Sequence, residues 1–370
     1  MRQYMSYAGE TLYIASPACF YYDGYTLWEA WRGLAEYQGF RVLMPTRNQL
    51  DLSHADLRLN ANAIFDNCAV AINECTALIA DLEAFRGTEP DGGTLFEMGM
   101  AYARGLRVYG FTRDRRPMLH KVRDASLRDG HVVDGLGHPL PYGDIPFCPS
   151  LMGASKIIEG RFEDALQLLQ MDIDESKRAL AWPATAPVEA PVSQTDEHAV
   201  FFFSPRFYAE DGRFWFDSRR AAFAAAGLRM VSPFEPAPGE TPCANDDPLV
   251  QALHLFERWQ RQVRICGGLI VDLNDFNGYE PSGDAAILAG MAWQLGKRCA
   301  GFMADARCMR QRIPHYGPER DDKDIFGNNV ENFNYPINLM FSGAMPIVQG
   351  GPKEALVHHG EARYGGGSPA

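Results

Sequence analysis

Short apolar runs alternate along the chain with longer segments in which apolar residues recur at helical spacing. The runs at 11–17, 41–45, 77–82 and 107–111 predict strands, and the segments around 28–35, 60–74, 95–104 and 150–169 predict helices. Regular alternation of strand and helix predicts an α/β fold with a doubly wound parallel sheet. Residues 112–147 are polar and rich in Gly and Pro, so we expect a long loop that borders a ligand site.

The strand at 77–82 and the segment after it occur twice. Asp81, Phe85 and the pair Glu89-Pro90 match Asp272, Phe276 and Glu280-Pro281 at a constant offset (272 − 81 = 191), with no gap. A repeat of this length indicates two copies of one domain. We predict a first domain at 1–181, a linker at 182–197, a second domain at 198–360 and a disordered tail at 361–370.

Composition narrows the function. The chain has 370 residues, of which 46% are hydrophobic and 22% charged, as in soluble globular proteins with two domains. The net charge of −12 argues against nucleic acid or anionic membrane as a partner. Eight cysteines without a C-x-x-C pair indicate reduced thiols in a cytoplasmic protein, and nine scattered histidines predict no metal site. We see no secretory or membrane-spanning segment.

Candidate chemistry lies between the repeated strand and its helix. Asp81 ends the strand, and Asp91 and Glu97 follow it, at the sheet edge where ligands bind in such folds. One interpretation is structural, because Thr94 and Glu97 have the spacing of a helix capping box. The second copy favours a chemical role, because it keeps the apolar scaffold and replaces the polar residues with Ser282, Ala285 and Leu288.

Three segments, 13–17, 91–103 and 336–340, resemble the nucleoside 2-deoxyribosyltransferase family. The resemblance implies a flavodoxin-like fold and no cofactor. It also implies that Glu97 attacks the sugar C1′ of a 2′-deoxynucleoside and holds the deoxyribose covalently until a free nucleobase accepts it. Tyr13 would place its hydroxyl on Glu97. The substrate-binding residues that we predict from the resemblance are Asp81, Gly93, Phe20, Asp66, Asn338 and Met340.

The resemblance further implies a site shared between subunits, to which a neighbour supplies an asparagine. Here the first half carries Tyr13, Asp91 and Glu97, whereas the second half carries Asn338. The counterpart of Asn338 in the first half is Cys148 or Ser150. We therefore predict a pseudo-dimer with one complete site, which contains Glu97 and Asn338, and we expect pseudo-dimers to assemble into a homo-oligomer.

The role of each group is open to a second interpretation. Glu97, in the first turn of a helix, suits attack as an anion, and Asp91 suits proton donation if adjacent carboxylates raise its pKa. Yet Asp91 also fits a loop turn, Tyr13 a strand core and Asn338 a turn. Asp81 persists as Asp272, which favours a structural role.

The chain departs from the family at one position on the second helix. Where the family has an aspartate that contacts the base, Cys68 stands, and Asp66 would replace it only if the helix is shifted. The alternatives to a transferase are an N-glycosidase that passes the sugar to water and a catalytically silent nucleoside-binding module.

Overall fold

The computed structural model describes residues 7–45, 50–122, 124–128, 131–135, 137, 140, 142–180, 195–317 and 322–359. The elements of the first half are β1 (Thr11–Ala15), α1 (Gly24–Tyr37), β2 (Arg41–Leu43), α2 (Leu57–Asn73), β3 (Ala77–Asp81), α3 (Gly92–Arg104), β4 (Arg107–Thr112), β5 (Ser126–Arg128), β6 (His131–Val133), α4 (Pro149–Ala154), β7 (Lys156–Glu159) and α5 (Phe162–Leu180).

The second half repeats this order. Its elements are β8 (Asp196–Phe203), α6 (Gly212–Asp217), α7 (Arg220–Ala225), β9 (Arg229–Val231), α8 (Pro248–Ile265), β10 (Cys266–Asp272), α9 (Gly283–Gln294), β11 (Arg298–Met303), α10 (Met309–Arg312), α11 (Leu339–Ala344), β12 (Ile347–Gln349) and α12 (Pro352–His358).

Each half contains a five-stranded sheet whose strands all run parallel. The orders are β2-β1-β3-β4-β7 and β9-β8-β10-β11-β12, the same doubly wound order in both halves. The central strands β3 and β10 are buried along their whole length, as expected for a sheet with helices on both faces. The predicted fold class is therefore confirmed, including the flavodoxin-like order and the internal repeat.

Several predicted boundaries differ from the structure. The helix predicted at 150–169 is wrong, because α4 and α5 are separated there by the edge strand β7. Strand β8 begins at Asp196, two residues inside the predicted linker. The rest of that linker up to residue 194 and the tail at 361–370 lie outside the described residues. No helix in the described ranges is long and apolar enough to cross a membrane.

The two halves meet across a pseudo-twofold axis at which α3 crosses α9. A Cβ atom on Gly99 would lie 2.1 Å from the Ile287 carbonyl oxygen, and one on Gly290 would lie 2.0 Å from the Phe96 carbonyl oxygen. Glycine at both positions thus allows the two helix backbones to touch. Paired loops extend the contact, since Gly87 and Gly278 form an antiparallel bridge.

Candidate active site

Helix α3 begins at Gly92, three residues earlier than predicted, because Asp91 is its N-cap. Asp91 Oδ2 accepts hydrogen bonds from the Thr94 backbone N–H at 2.7 Å and from its hydroxyl at 2.9 Å. The expected capping box is therefore wrong, and Glu97 lies in the second turn, beyond the first-turn position that we assigned to it. The Glu97 carboxylate therefore does not cap the helix.

Glu97 points into the first half's sheet edge rather than to solvent. Its Oε1 accepts a hydrogen bond of 2.6 Å from the Tyr13 hydroxyl at the middle of β1. Burial raises the pKa of Glu97 to about 8, and the Tyr13 hydrogen bond opposes this rise. The carboxyl group is thus held in one orientation, and its burial favours the protonated form.

A pocket of about 420 Å³ opens in front of these groups, and both halves line it. Asp91, Gly93 and Glu97 come from α3 and its cap, whereas Asn338 and Met340 come from the start of α11. A Cβ atom on Gly93 would lie 2.6 Å from Asn338 Nδ2, so this glycine makes room for the asparagine side chain. Asn338 Oδ1 accepts the Met340 N–H at 2.9 Å, which leaves its Nδ2 group next to the start of α3.

Asp91 carries the second buried carboxyl group of the pocket. Burial is the main cause that raises its pKa, and the hydrogen bonds from Thr94 oppose the rise. Adjacent carboxylates, which we expected as the cause, are not among its main causes. Its Oδ1 atom is buried and has no hydrogen-bond partner in the described residues, so one oxygen of the cap remains available to a ligand.

The structure brings Phe20 to the pocket but leaves three predicted residues outside its lining, namely Tyr13, which still contacts Glu97, and Asp81 and Asp66. Asp81 accepts hydrogen bonds from Ser16 Oγ at 3.2 Å and from the Glu83 N–H at 3.1 Å, and its counterpart Asp272 is bonded in the same way. This shared pattern makes Asp81 a support for the strand end. Asp66 lies on a different face of α2 from the lining residues Ile64 and Cys68.

Sequence reasoning did not propose several residues that line the pocket. Glu331 and Phe333 of the second half contribute to it, as do Cys19, Trp28 and Leu52 of the first. Burial raises the pKa of Glu331 to about 8. Its position seven residues before Asn338 was the only available signal. Cys68, which stands where the family has an aspartate, also lines the pocket.

The described part of the loop at 112–147 does not line this pocket, contrary to expectation. It extends to the corresponding region of the second half, where the Tyr142 ring packs edge-on against the Tyr208 ring at a centroid distance of 5.3 Å. By the pseudo-symmetry, the segment before α11 crosses the other way and supplies Glu331 and Asn338 to the first half. Each half therefore closes the region in front of its partner's central helix.

The equivalent region of the second half is filled by side chains. The Tyr208 hydroxyl donates to Asp284 Oδ2 at 2.6 Å, and the Ser150 N–H donates to Asp284 Oδ1 at 2.8 Å. Cys148 is the N-cap of α4, and Asn338 is the N-cap of the equivalent helix α11. Of the two candidates from the sequence, Cys148 and Ser150, the counterpart of Asn338 is therefore Cys148. No group of His, Cys, Asp and Glu side chains suited to a metal ion occurs among the described residues.

The fold and the site define a class of protein: a duplicated doubly wound α/β chain with a carboxylate-lined pocket where its halves meet. The family model described as nucleoside 2-deoxyribosyltransferase matches residues 12–141 and 200–340, which is more than half of the chain. The chain therefore belongs to the nucleoside 2-deoxyribosyltransferase family.

Comparison with solved structures gives two further similarities. The 2-desoxiribosyltransferase from Leishmania mexicana is 34% identical over 43% of this chain and 95% of its own, with a TM-score of 0.34. The glycosyltransferase SnogD from Streptomyces nogalater is 10% identical over 79% of this chain and 82% of its own, with a TM-score of 0.20. Comparison with curated protein sequences gave no match.

Proposed function

We propose that this chain transfers 2-deoxyribose from a 2′-deoxynucleoside to a free nucleobase at one site built by both halves. The observation that carries the proposal is the position of Glu97, which lies in a pocket also lined by Asn338 and is held by the Tyr13 hydroxyl. Family membership supports it, since the family is named for this activity.

The first step is attack on the sugar. An ionised Glu97 oxygen forms a bond to C1′ while the bond from C1′ to the base nitrogen breaks, and the base leaves with that electron pair. The Tyr13 hydroxyl orients the attacking carboxylate and stabilises its anionic form. Because burial favours the protonated acid, substrate must bind to the ionised fraction or displace the proton.

The leaving base needs a proton. Asp91 suits this task, because burial raises its pKa and its Oδ1 atom has no partner in the described residues. In the second step a nitrogen of the incoming base forms a bond to C1′ while the bond from C1′ to the Glu97 oxygen breaks, and the proton of that nitrogen returns to the Asp91 carboxylate. Asn338, fixed by the Met340 N–H, holds a sugar hydroxyl through both steps.

The test incubates a deoxynucleoside with and without a different nucleobase and follows all products by chromatography. A transferase forms the second deoxynucleoside only when the acceptor base is present. Glu97→Gln should lower this rate by about 10⁴- to 10⁶-fold, the range seen when a residue of a catalytic triad is removed. Glu36→Gln, on the exposed surface of α1, is the matched control and should leave the rate unchanged.

Two outcomes would contradict the proposal. Free deoxyribose released at equal rates with and without acceptor would identify an N-glycosidase that passes the sugar to water. Binding of deoxynucleosides without any turnover would identify a silent nucleoside-binding module.

A further inference from the structure

Glu331 is a carboxyl group that the mechanism above does not use. It belongs to the second half, lines the Glu97 pocket and is only partly buried. Its Oε2 atom accepts the Leu339 N–H at 2.9 Å, and Oε1 has no hydrogen-bond partner in the described part of the chain. One oxygen is thus anchored to the start of α11, and the other remains available to a polar group in the pocket.

The segment that carries Glu331 is fixed by the first half. The Asn329 N–H donates to the Phe20 carbonyl at 2.8 Å, and Arg86 Nη2 donates to the Asn329 carbonyl at 2.8 Å. Arg86 also forms buried ion pairs with Glu280 and with Asp324. Two backbone contacts placed two residues before Glu331 therefore hold it at a defined place in the pocket, as a binding residue requires.

Glu331 lies beside the asparagine to which the proposed function assigns a sugar hydroxyl. Its Oε2 atom accepts the N–H of Leu339, the residue that follows Asn338, and both side chains line the pocket that contains Glu97. A sugar with C1′ at Glu97 and a hydroxyl group at Asn338 would therefore bring its hydroxyl-bearing carbons close to Glu331.

We propose that Glu331 binds a hydroxyl group of the deoxyribose, so that the half without a nucleophile contributes two sugar-binding side chains, Asn338 and Glu331. This inference rests on the proposed function. A carboxyl group can accept a hydrogen bond from a hydroxyl and, when protonated, donate one. The chemical class recognised is a sugar hydroxyl, at either the 3′ or the 5′ position.

The experiment pairs protein variants with substrates that lack one hydroxyl. Wild-type protein and Glu331→Ala are assayed with a 2′-deoxynucleoside and its 2′,3′-dideoxy and 2′,5′-dideoxy forms. We expect Glu331→Ala to lower kcat/KM for the full substrate by about 10- to 100-fold, mainly through KM. For the substrate that lacks the partner hydroxyl, the same substitution should cost less than about threefold, and this identifies the hydroxyl.

Controls separate binding from folding. Glu331→Gln keeps an acceptor and a donor and should recover part of the loss, while Glu36→Gln should match wild type. Unfolding in urea checks that Glu331→Ala remains folded. Calorimetric binding of the three nucleosides to Glu97→Gln and to Glu97→Gln/Glu331→Ala measures the same coupling without turnover.

The outcomes distinguish this inference from the proposed function. An equal loss with all three substrates, or no loss at all, would overturn the hydroxyl contact and leave Glu331 as a support for α11. Wild-type protein without transferase activity would overturn the proposed function instead. The binding arm would then still decide whether Glu331 contacts the sugar.

Discussion

The contact between α3 and α9 gives a sharp prediction for Gly290→Ala. The added methyl group would lie 2.0 Å from the Phe96 carbonyl oxygen and 2.9 Å from the Phe96 carbonyl carbon. Ordinary contact begins near 3.4 Å, so the helices must separate by 3.4 − 2.0 = 1.4 Å at this point. Both contact atoms belong to backbone, which cannot turn aside as a side chain would.

The magnitude follows from two opposing terms. Overpacking of a tight core contact costs about 1–3 kcal/mol and sometimes more, whereas alanine in a helix interior gains about 1 kcal/mol over glycine. The difference is about 0–2 kcal/mol, and we expect Gly290→Ala to lower the free energy of unfolding by an amount near its upper end, because both contact atoms belong to backbone. Because Phe96 adjoins Glu97 on α3, a displacement of this size should also lower kcat by about 100-fold.

The assay measures urea unfolding and transferase kinetics on the same preparations. Gly33→Ala is the control, because this glycine lies within α1 with nothing within 4 Å of the added methyl group. It should raise stability by up to about 1 kcal/mol and leave kcat unchanged. A Gly290→Ala protein as stable and as active as Gly33→Ala would refute the close crossing of the two helices.

Three further predictions concern charged and hydroxyl groups. Tyr13→Phe removes the donor to Glu97, so kcat should fall about 10- to 100-fold and the ascending limb of the kcat/KM pH profile, expected near pH 8, should move higher. In the folded chain the pKa values of Glu97 and Glu331 are about 8, whereas the ordinary value is 4.5. Between pH 4.5 and pH 8 the folded chain therefore binds more protons than the unfolded chain. The free energy of unfolding should consequently fall as the pH rises through this range. Urea midpoints should be higher at pH 5.5 than at pH 8.5, and Glu97→Gln should reduce the difference. Arg86→Ala strands two buried carboxylates and should cost about 3–5 kcal/mol in urea unfolding, whereas an unchanged midpoint would contradict the buried ion pairs.

The alternating pattern of the sequence predicted most of the sheet because each central strand is a continuous apolar run. Strand β7 escaped prediction because it is a four-residue edge strand between two helical segments, with exposed ends and a half-buried middle. Short edge strands bury too few side chains to leave a periodic signal. The repeat, in contrast, was visible because both copies keep the same buried strand and the same helix glycine.

The site was predicted only as far as its residues had a pattern to compare. Asn338 emerged from the resemblance of segment 336–340 to the family, and the loss of the carboxylates from its half supported the prediction. The segment Asp91-Gly92-Gly93 resembled a loop, since two glycines rarely open a helix. The structure explains why both positions are glycine. Glu280 and Pro281 of the other half lie close to Gly92, and Asn338 of the other half lies close to Gly93. Such contacts across about 190 or more positions of chain cannot be deduced from local sequence.

Glu331 shows the same limit in another form. Its only signal in the sequence was its closeness to Asn338, and its place in the pocket depends on how Arg86 and Phe20 of the other half hold Asn329. We predicted a site shared by the two halves but did not find Glu331, and both results have the same cause. Comparison of the two repeats shows which side chains one half has lost. Only the folded structure shows which of its remaining side chains enter the pocket of the other half.

The most direct measurement of the central claim is a crystal structure of Glu97→Gln with a 2′-deoxynucleoside bound. We predict one nucleoside per chain, with C1′ facing residue 97 of the first half and a sugar hydroxyl within hydrogen-bond distance of Asn338 from the second half. A nucleoside bound by one half alone, with Asn338 out of reach of its sugar, would contradict the account.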